Sequence, residues 1–256
     1  MTIVIRRLSR REFVNSIAAL AASSAIVFEP QSAYAEQPAS PRRIGVLLGA
    51  LSAESKEVQA FRQGLLDAGY VEGRDVVIEW RTASGDYARL PALAVDLVQR
   101  KVDVIVVQST SAAQAAKRAT SIIPIVMATV ADPVGSGLVA NLAHPGGNVT
   151  GLSTMVVELS AKRLQLLKET LPRVAQVAVL WNPDTPFHPK VIEDLKAVAP
   201  ALAIKLNFVA ARTPEDFGPA FLAVSRAHAQ ALYVIDDSFF VSRRAMLVNI
   251  TSKAHG

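Results

Sequence analysis

The chain has 256 residues, 27 Lys and Arg against 22 Asp and Glu, 51% hydrophobic residues and no cysteine. That apolar content is enough to offset the ordering entropy of a globular fold, which excludes a disordered chain. The absence of cysteine excludes a disulfide scaffold, a thiolate zinc site and a thiol nucleophile. The net charge of +5 is concentrated at the start: residues 1–35 carry four arginines against two glutamates, and the remaining 221 residues stand at +3. A balance of that size gives no reason to expect a nucleic-acid partner.

Residues 1–35 read as an export signal. Arg6, Arg7, Arg10 and Arg11 precede a soft apolar run from Ile17 to Phe28. Twelve residues rise about 18 Å as a helix, short of a hydrocarbon core of roughly 30 Å. Ala33-Tyr34-Ala35 then offers small residues at a cleavage site, so processing before Glu36 is expected. Ser9-Arg10-Arg11-Glu12-Phe13 fits the twin-arginine pattern S-R-R-x-F, although Val14 and Asn15 replace the usual Leu-Lys. No later run reaches 18 apolar residues, so the mature chain is expected to be soluble and periplasmic.

Residues 36–42 form a polar linker. Strands are then expected at Arg43–Gly49, Asp75–Trp80, Val102–Val107, Ile123–Ala128 and Val149–Ser153. Between them fall a helix capped by Ser52 and stopped at Gly69, with Val58, Phe61, Leu65 and Leu66 at helical spacing, and helices over Leu90–Arg100 and Ser111–Ala119. A short helix is expected over Gly135–Leu142, closed by the turn-rich His144-Pro-Gly-Gly-Asn148. An amphipathic stretch, Glu158–Leu171, leads into a second series of strands at Val177–Trp181, Ile204–Val209 and Ala231–Ile235. Helices near Pro189–Ala199, Pro214–Ala227 and Phe239–Ala254 accompany it.

Short apolar strands alternating with helices imply parallel sheets covered on both faces. Two such series imply two Rossmann-like α/β lobes, over 43–155 and 156–256, with a hinge near residues 150–160; one sheet of eight strands is the alternative.

Enzyme signatures are missing. The turn after the first strand, Gly49-Ala-Leu-Ser52-Ala-Glu54, is not G-x-G-x-x-G, and neither a P-loop nor a G-x-S-x-G elbow occurs. His144 and His188 stand beside prolines in expected loops and His228 on an expected helix, with no H-x-x-x-H pair, so solvated or capping roles are expected rather than a metal or base. No cofactor and no metal are expected.

In parallel sheets ligands sit outside the carboxyl ends of the strands, where helix N-termini converge. Those positions hold Ser52, then Ser109, Thr110 and Ser111 ahead of Ala112-Ala-Gln114, then Asp132, Asn182, and the pair Asp236-Asp237. The hydroxyls and helix-start N–H groups suit a carboxylate; the acidic residues suit an ammonium. Each also has a plainer role: Ser109 or Ser111 as an N-cap, Asp132 or Asp237 as a cap, Asn182 as a turn residue before proline. Hydroxyls and carboxylates on both sides of a cleft, without nucleophile, base and metal, make a binding rather than a catalytic set.

Phe61-Arg-Gln-Gly64-Leu-Leu-Asp-Ala-Gly69-Tyr70-Val-Glu-Gly73-Arg-Asp-Val-Val-Ile-Glu79-Trp-Arg81 resembles the early segment of ABC-transporter substrate-binding proteins related to tryptophan and tyrosine uptake. Asp132-Pro-Val-Gly-Ser-Gly137 and Pro145-Gly-Gly-Asn148-Val-Thr150-Gly151 resemble the same family, in order. The resemblance implies a two-lobed periplasmic binding protein of the type 1 kind. Such a protein closes on a small polar solute, an amino acid among the candidates, and docks on a membrane permease served by an ATPase. It works as a monomer and touches the membrane only through that permease. Asp132, Asn182 and Asp237 match family positions, and Ser109–Ser111 match its small polar loop; Ala131 and Ser238 depart from the usual Thr and Asn. Family members continue for some tens of residues past this chain's end, so an incomplete second lobe is expected. Other readings are an exported enzyme on the same fold, a non-transporting sensor module, or a defective fragment.

Overall fold

A computed structural model describes residues 41–253. The expected export signal lies outside the described residues.

Two parallel sheets organise the chain. The first runs in the order β2-β1-β3-β4-β5, from β1 (Arg42–Leu48), β2 (Val76–Thr82), β3 (Val104–Gln108), β4 (Ile125–Ala131) and β5 (Val149–Thr154). The second runs β7-β6-β8, from β6 (Gln176–Trp181), β7 (Lys205–Ala210) and β8 (Ala231–Val234). The alternative of a single eight-stranded sheet is therefore overturned. Every pairing within both sheets is parallel. Among the described residues the chain passes from one sheet to the other once, between the end of β5 at Thr154 and the start of α4 at Ser160.

The period of two along β1 sorts its side chains. Leu47 turns to the face covered by α2 (Leu90–Gln99) and α3 (Thr110–Ala119), while Ile44, Val46 and Leu48 turn to the face that carries α1 (Lys56–Asp67). The connection from β4 to β5 holds only turns, so α1 is the single helix on that second face among the described residues. The helix expected over Gly135–Leu142 does not form. Its backbone is held by a tight turn in which the Asp132 carboxylate accepts from Gly135 N–H at 2.7 Å, an aspartate-proline turn in place of a cap. Gly151 lets β5 approach β4: a Cβ there would lie 2.3 Å from the Met127 carbonyl oxygen, at φ +129°.

Ser55, not Ser52, caps α1, its hydroxyl accepting from Val58 N–H at 3.3 Å. The second sheet carries α4 (Ser160–Thr170), α5 (His188–Val198) and α6 (Phe217–Arg226). The helix expected over Phe239–Ala254 breaks into α7 (Ser238–Ser242) and α8 (Arg244–Lys253) at Arg243. Before the break, Phe239 stacks on Phe217 at 5.4 Å between ring centroids and Phe240 packs tilted against it at 6.2 Å. His228 lies in the turn after α6 rather than on a helix, in left-handed backbone at φ +48°.

One apolar core crosses from lobe to lobe. Ala83, Tyr87 and Leu90 of the first lobe belong to the same buried cluster as Phe217, Phe239 and Phe240 of the second. Gly85 makes the approach possible: a Cβ there would stand 2.8 Å from the Phe239 ring, at φ +93°.

Candidate functional site

The carboxyl ends of both sheets line one cavity of about 1180 Å³. It holds Gln108, Ser109, Thr110 and Ser111 from the first lobe and Thr185, Asp236, Asp237 and Ser238 from the second. From there it runs over the α1 face of the first sheet, past Val106, Val126 and Leu152. Ser111 and Asp237 thus share one pocket, as the strand-end argument requires.

Four hydrogen bonds close the two lobes on each other, one of them from Phe239 N–H to the Tyr87 hydroxyl at 3.3 Å. The Tyr87 phenol donates to Asp237 Oδ1 at 3.0 Å, Gln108 Nε2 to Ser238 Oγ at 2.9 Å, and Ser111 Oγ to the Asp184 carbonyl at 3.4 Å. Asp237 is 5% exposed and saturated: it also accepts from its own Phe239 N–H at 2.7 Å and, through Oδ2, from the Thr185 hydroxyl. Such a carboxylate is stable in the interior because each oxygen has a donor. Burial, and then the neighbouring Asp237 charge, push the Tyr87 phenol well above its ordinary pKa, so it stays a donor.

The other expected site residues divide. Ser109 caps α3, accepting from Ala112 N–H at 3.2 Å, and adopts φ +104°, a strained conformation for a residue with a Cβ. Its hydroxyl and the first-turn amides of α3 lie at the cleft. Thr110 is consumed structurally: its Oγ1 donates to the Ala131 carbonyl at 3.0 Å and accepts from Ala131 N–H at 3.2 Å. Asp132 serves its own turn and does not line the cavity. Asn182 is 1% exposed, also off the cavity, with Oδ1 accepting from Asp184 N–H at 3.0 Å; the turn role before proline is the one observed. Ser52 is exposed and lies beside the cavity wall rather than on it.

Asp236 is the exposed carboxylate of the pair and stands in the cavity wall. Gln108 Oε1 is buried without a hydrogen-bond partner. Of these two acceptors only the Asp236 carboxylate is accessible from the cavity; Gln108 Oε1 is closed off from it. Sequence reasoning passed over Gln108, Tyr87, Thr185 and His188. Applying the strand-end rule to the loop after β2, and carrying it three residues past Asn182 in the loop after β6, would have reached Tyr87 and Thr185. His188 is not a solvated loop residue: it opens α5, fully buried. Among the described residues no cluster of three or more metal-ligating side chains occurs, and no helix is long and apolar enough to cross a membrane.

Two wound parallel sheets meeting at their carboxyl ends over a shared, largely apolar cavity define the architecture of a type 1 periplasmic binding protein. Residues 50–255 match the family described as ABC transporter substrate binding protein, and the chain belongs to it. A tyrosine-binding protein of Clostridioides difficile is 39% identical over 127 residues, which make up 50% of this chain and 36% of that one. The chain thus spans about a third of that relative's length in the match. Among solved structures, a conserved domain protein of Vibrio cholerae superposes with TM-score 0.72 at 34% identity, over 84% of this chain and 72% of that one. An ABC domain in complex with L-Trp from Streptococcus pneumoniae superposes with TM-score 0.70 at 25% identity and the same coverage.

Proposed function

We propose that this protein is the extracytoplasmic solute-binding component of an ABC importer, that its solute is an α-amino acid with an aromatic or large apolar side chain, and that the solute is handed to a membrane permease. The observation that carries this reading is the pairing of the open Asp236 carboxylate of one lobe with the Ser109-capped start of α3 in the other, on one apolar-walled cavity. An ammonium group suits the Asp236 carboxylate; a carboxylate suits the amides and hydroxyl at the helix start. The apolar wall gives a side chain somewhere dry to go. Similarity to a tyrosine-binding protein and to a domain holding L-Trp supports the choice of solute class.

The same geometry favours binding over catalysis. Of the acid or base candidates, Asp237 and Asp132 are already spent on fixed donors, and Asp236 is the open carboxylate assigned above to the solute ammonium. Export by residues 1–35, cleavage near Ala35 and a monomeric state belong to this reading.

Isothermal titration of the purified protein with the common amino acids tests it. Saturable heat with L-tyrosine or L-tryptophan is expected, weakened at least tenfold in Asp236→Asn. A folded sample that is silent to every amino acid overturns it.

A further inference from the structure

His188 sits where the two loops of the second lobe that reach the cleft come together. Its ring is fully buried at the start of α5. Nδ1 accepts from the backbone N–H of Asn182, at the end of β6, at 2.9 Å. Nε2 lies 3.1 Å from the carbonyl oxygen of Asp236, just past β8. The Asn182 amide can only donate and the Asp236 carbonyl can only accept, so together they select the neutral ring with its proton on Nε2. Phe187 packs edge-on against the ring at 4.9 Å between centroids.

Both tethered loops carry cleft groups. The Asn182 loop holds Asp184, whose carbonyl takes the Ser111 hydroxyl from the other lobe, and Thr185, which donates to Asp237. The Asp236 loop holds the open carboxylate itself. We propose that His188 is a positioning residue for the solute cleft, and that protonating its ring releases this brace and weakens solute capture in acid. A proton on Nδ1 would face the Asn182 N–H, donor against donor, and the β6 loop would have to move. The proposal rests on the cleft being the solute site.

The charged groups facing the ring are the Asp237 and Asp236 carboxylates after β8, with Tyr87 reaching the same Asp237 from the first lobe. Those carboxylates favour a charged ring; burial opposes it more strongly and holds the imidazole below its ordinary pKa. The brace therefore persists through neutral pH and yields on the acid side.

The test compares wild type with His188→Asn, whose side-chain oxygen can still accept from Asn182 N–H but cannot titrate. L-Tyrosine and L-tryptophan are the probes, titrated from pH 7.5 to 5.0. The wild-type Kd is expected to rise toward the acid end of that range at least threefold more than the variant's. Equal steepness in both overturns the proposal. Long-range ¹H–¹⁵N spectra of the wild-type ring supply a readout that needs no solute and no variant. They should show the Nε2–H tautomer at pH 7.5 and a titration that moves the Asn182 and Asp184 amides with it. A ring that titrates without moving those amides overturns the brace. Should neither amino acid bind at pH 7.5, the amino-acid reading fails by itself, and the ring titration alone decides whether His188 holds the two loops.

Discussion

Asp237 is held by a phenol, a hydroxyl and a backbone amide, and the phenol is the one that comes from the opposite lobe. Tyr87→Phe removes that donor and leaves a buried carboxylate oxygen with less compensation. A loss of about 1.5–3 kcal/mol is expected for a hydrogen bond to a charged group. Urea unfolding at pH 7.5 measures it. Because the phenol is held protonated well beyond its usual range, the loss should not vary across neutral pH. The residues the strand-end rule picked out fared according to their neighbours. Ser109, Ser111 and Asp236 reach the cavity. Asn182 and Asp132 each precede a proline, and in both the short polar side chain folds back on its own turn. His188 was hidden because a histidine beside a proline looks like a loop residue, and only the tertiary fold places two backbone partners at its ring nitrogens.

Elements were legible where local pattern and packing agree. Apolar runs marked all eight strands to within a few residues, since buried parallel strands need no alternation. The cap of α1 was placed at Ser52, three residues early; the helix starts after Ser55, whose hydroxyl takes the Val58 N–H. The stretch from Phe239 onward has unbroken helical character, yet it splits at Arg243, where burying Phe239 and Phe240 against Phe217 outweighs continuity. That aromatic cluster is a stability element. Phe217 is fully buried, and Phe217→Ala should cost about 3–5 kcal/mol through lost contacts and a residual cavity. Thermal unfolding followed by circular dichroism checks this; a shift of only a degree or two would mean that the cluster collapses to fill the gap.

Across the whole molecule, the lobes meet through polar contacts at the cleft and apolar ones beside it. Gly85 is a point of tight approach, since any side chain there meets the Phe239 ring. Gly85→Ala is expected to separate the lobes, raising the radius of gyration in small-angle X-ray scattering and weakening probe binding by about tenfold, roughly 1.4 kcal/mol. An unchanged scattering profile with unchanged affinity would show that Phe239 can move aside. Two-lobed organisation was readable from the two strand series, because a sheet's alternation with helices is written in the chain. The interface was not, because nothing local to Gly85 or Phe239 signals that residues so far apart in sequence touch.

Among the described residues, one covalent link joins the sheets, between Thr154 and Ser160. A lone link leaves twisting about its own axis nearly as free as bending. The orientation of one half relative to the other is then set by noncovalent contacts alone: the Tyr87, Gln108 and Ser111 hydrogen bonds across the cleft and the Phe239 ring seated over Gly85.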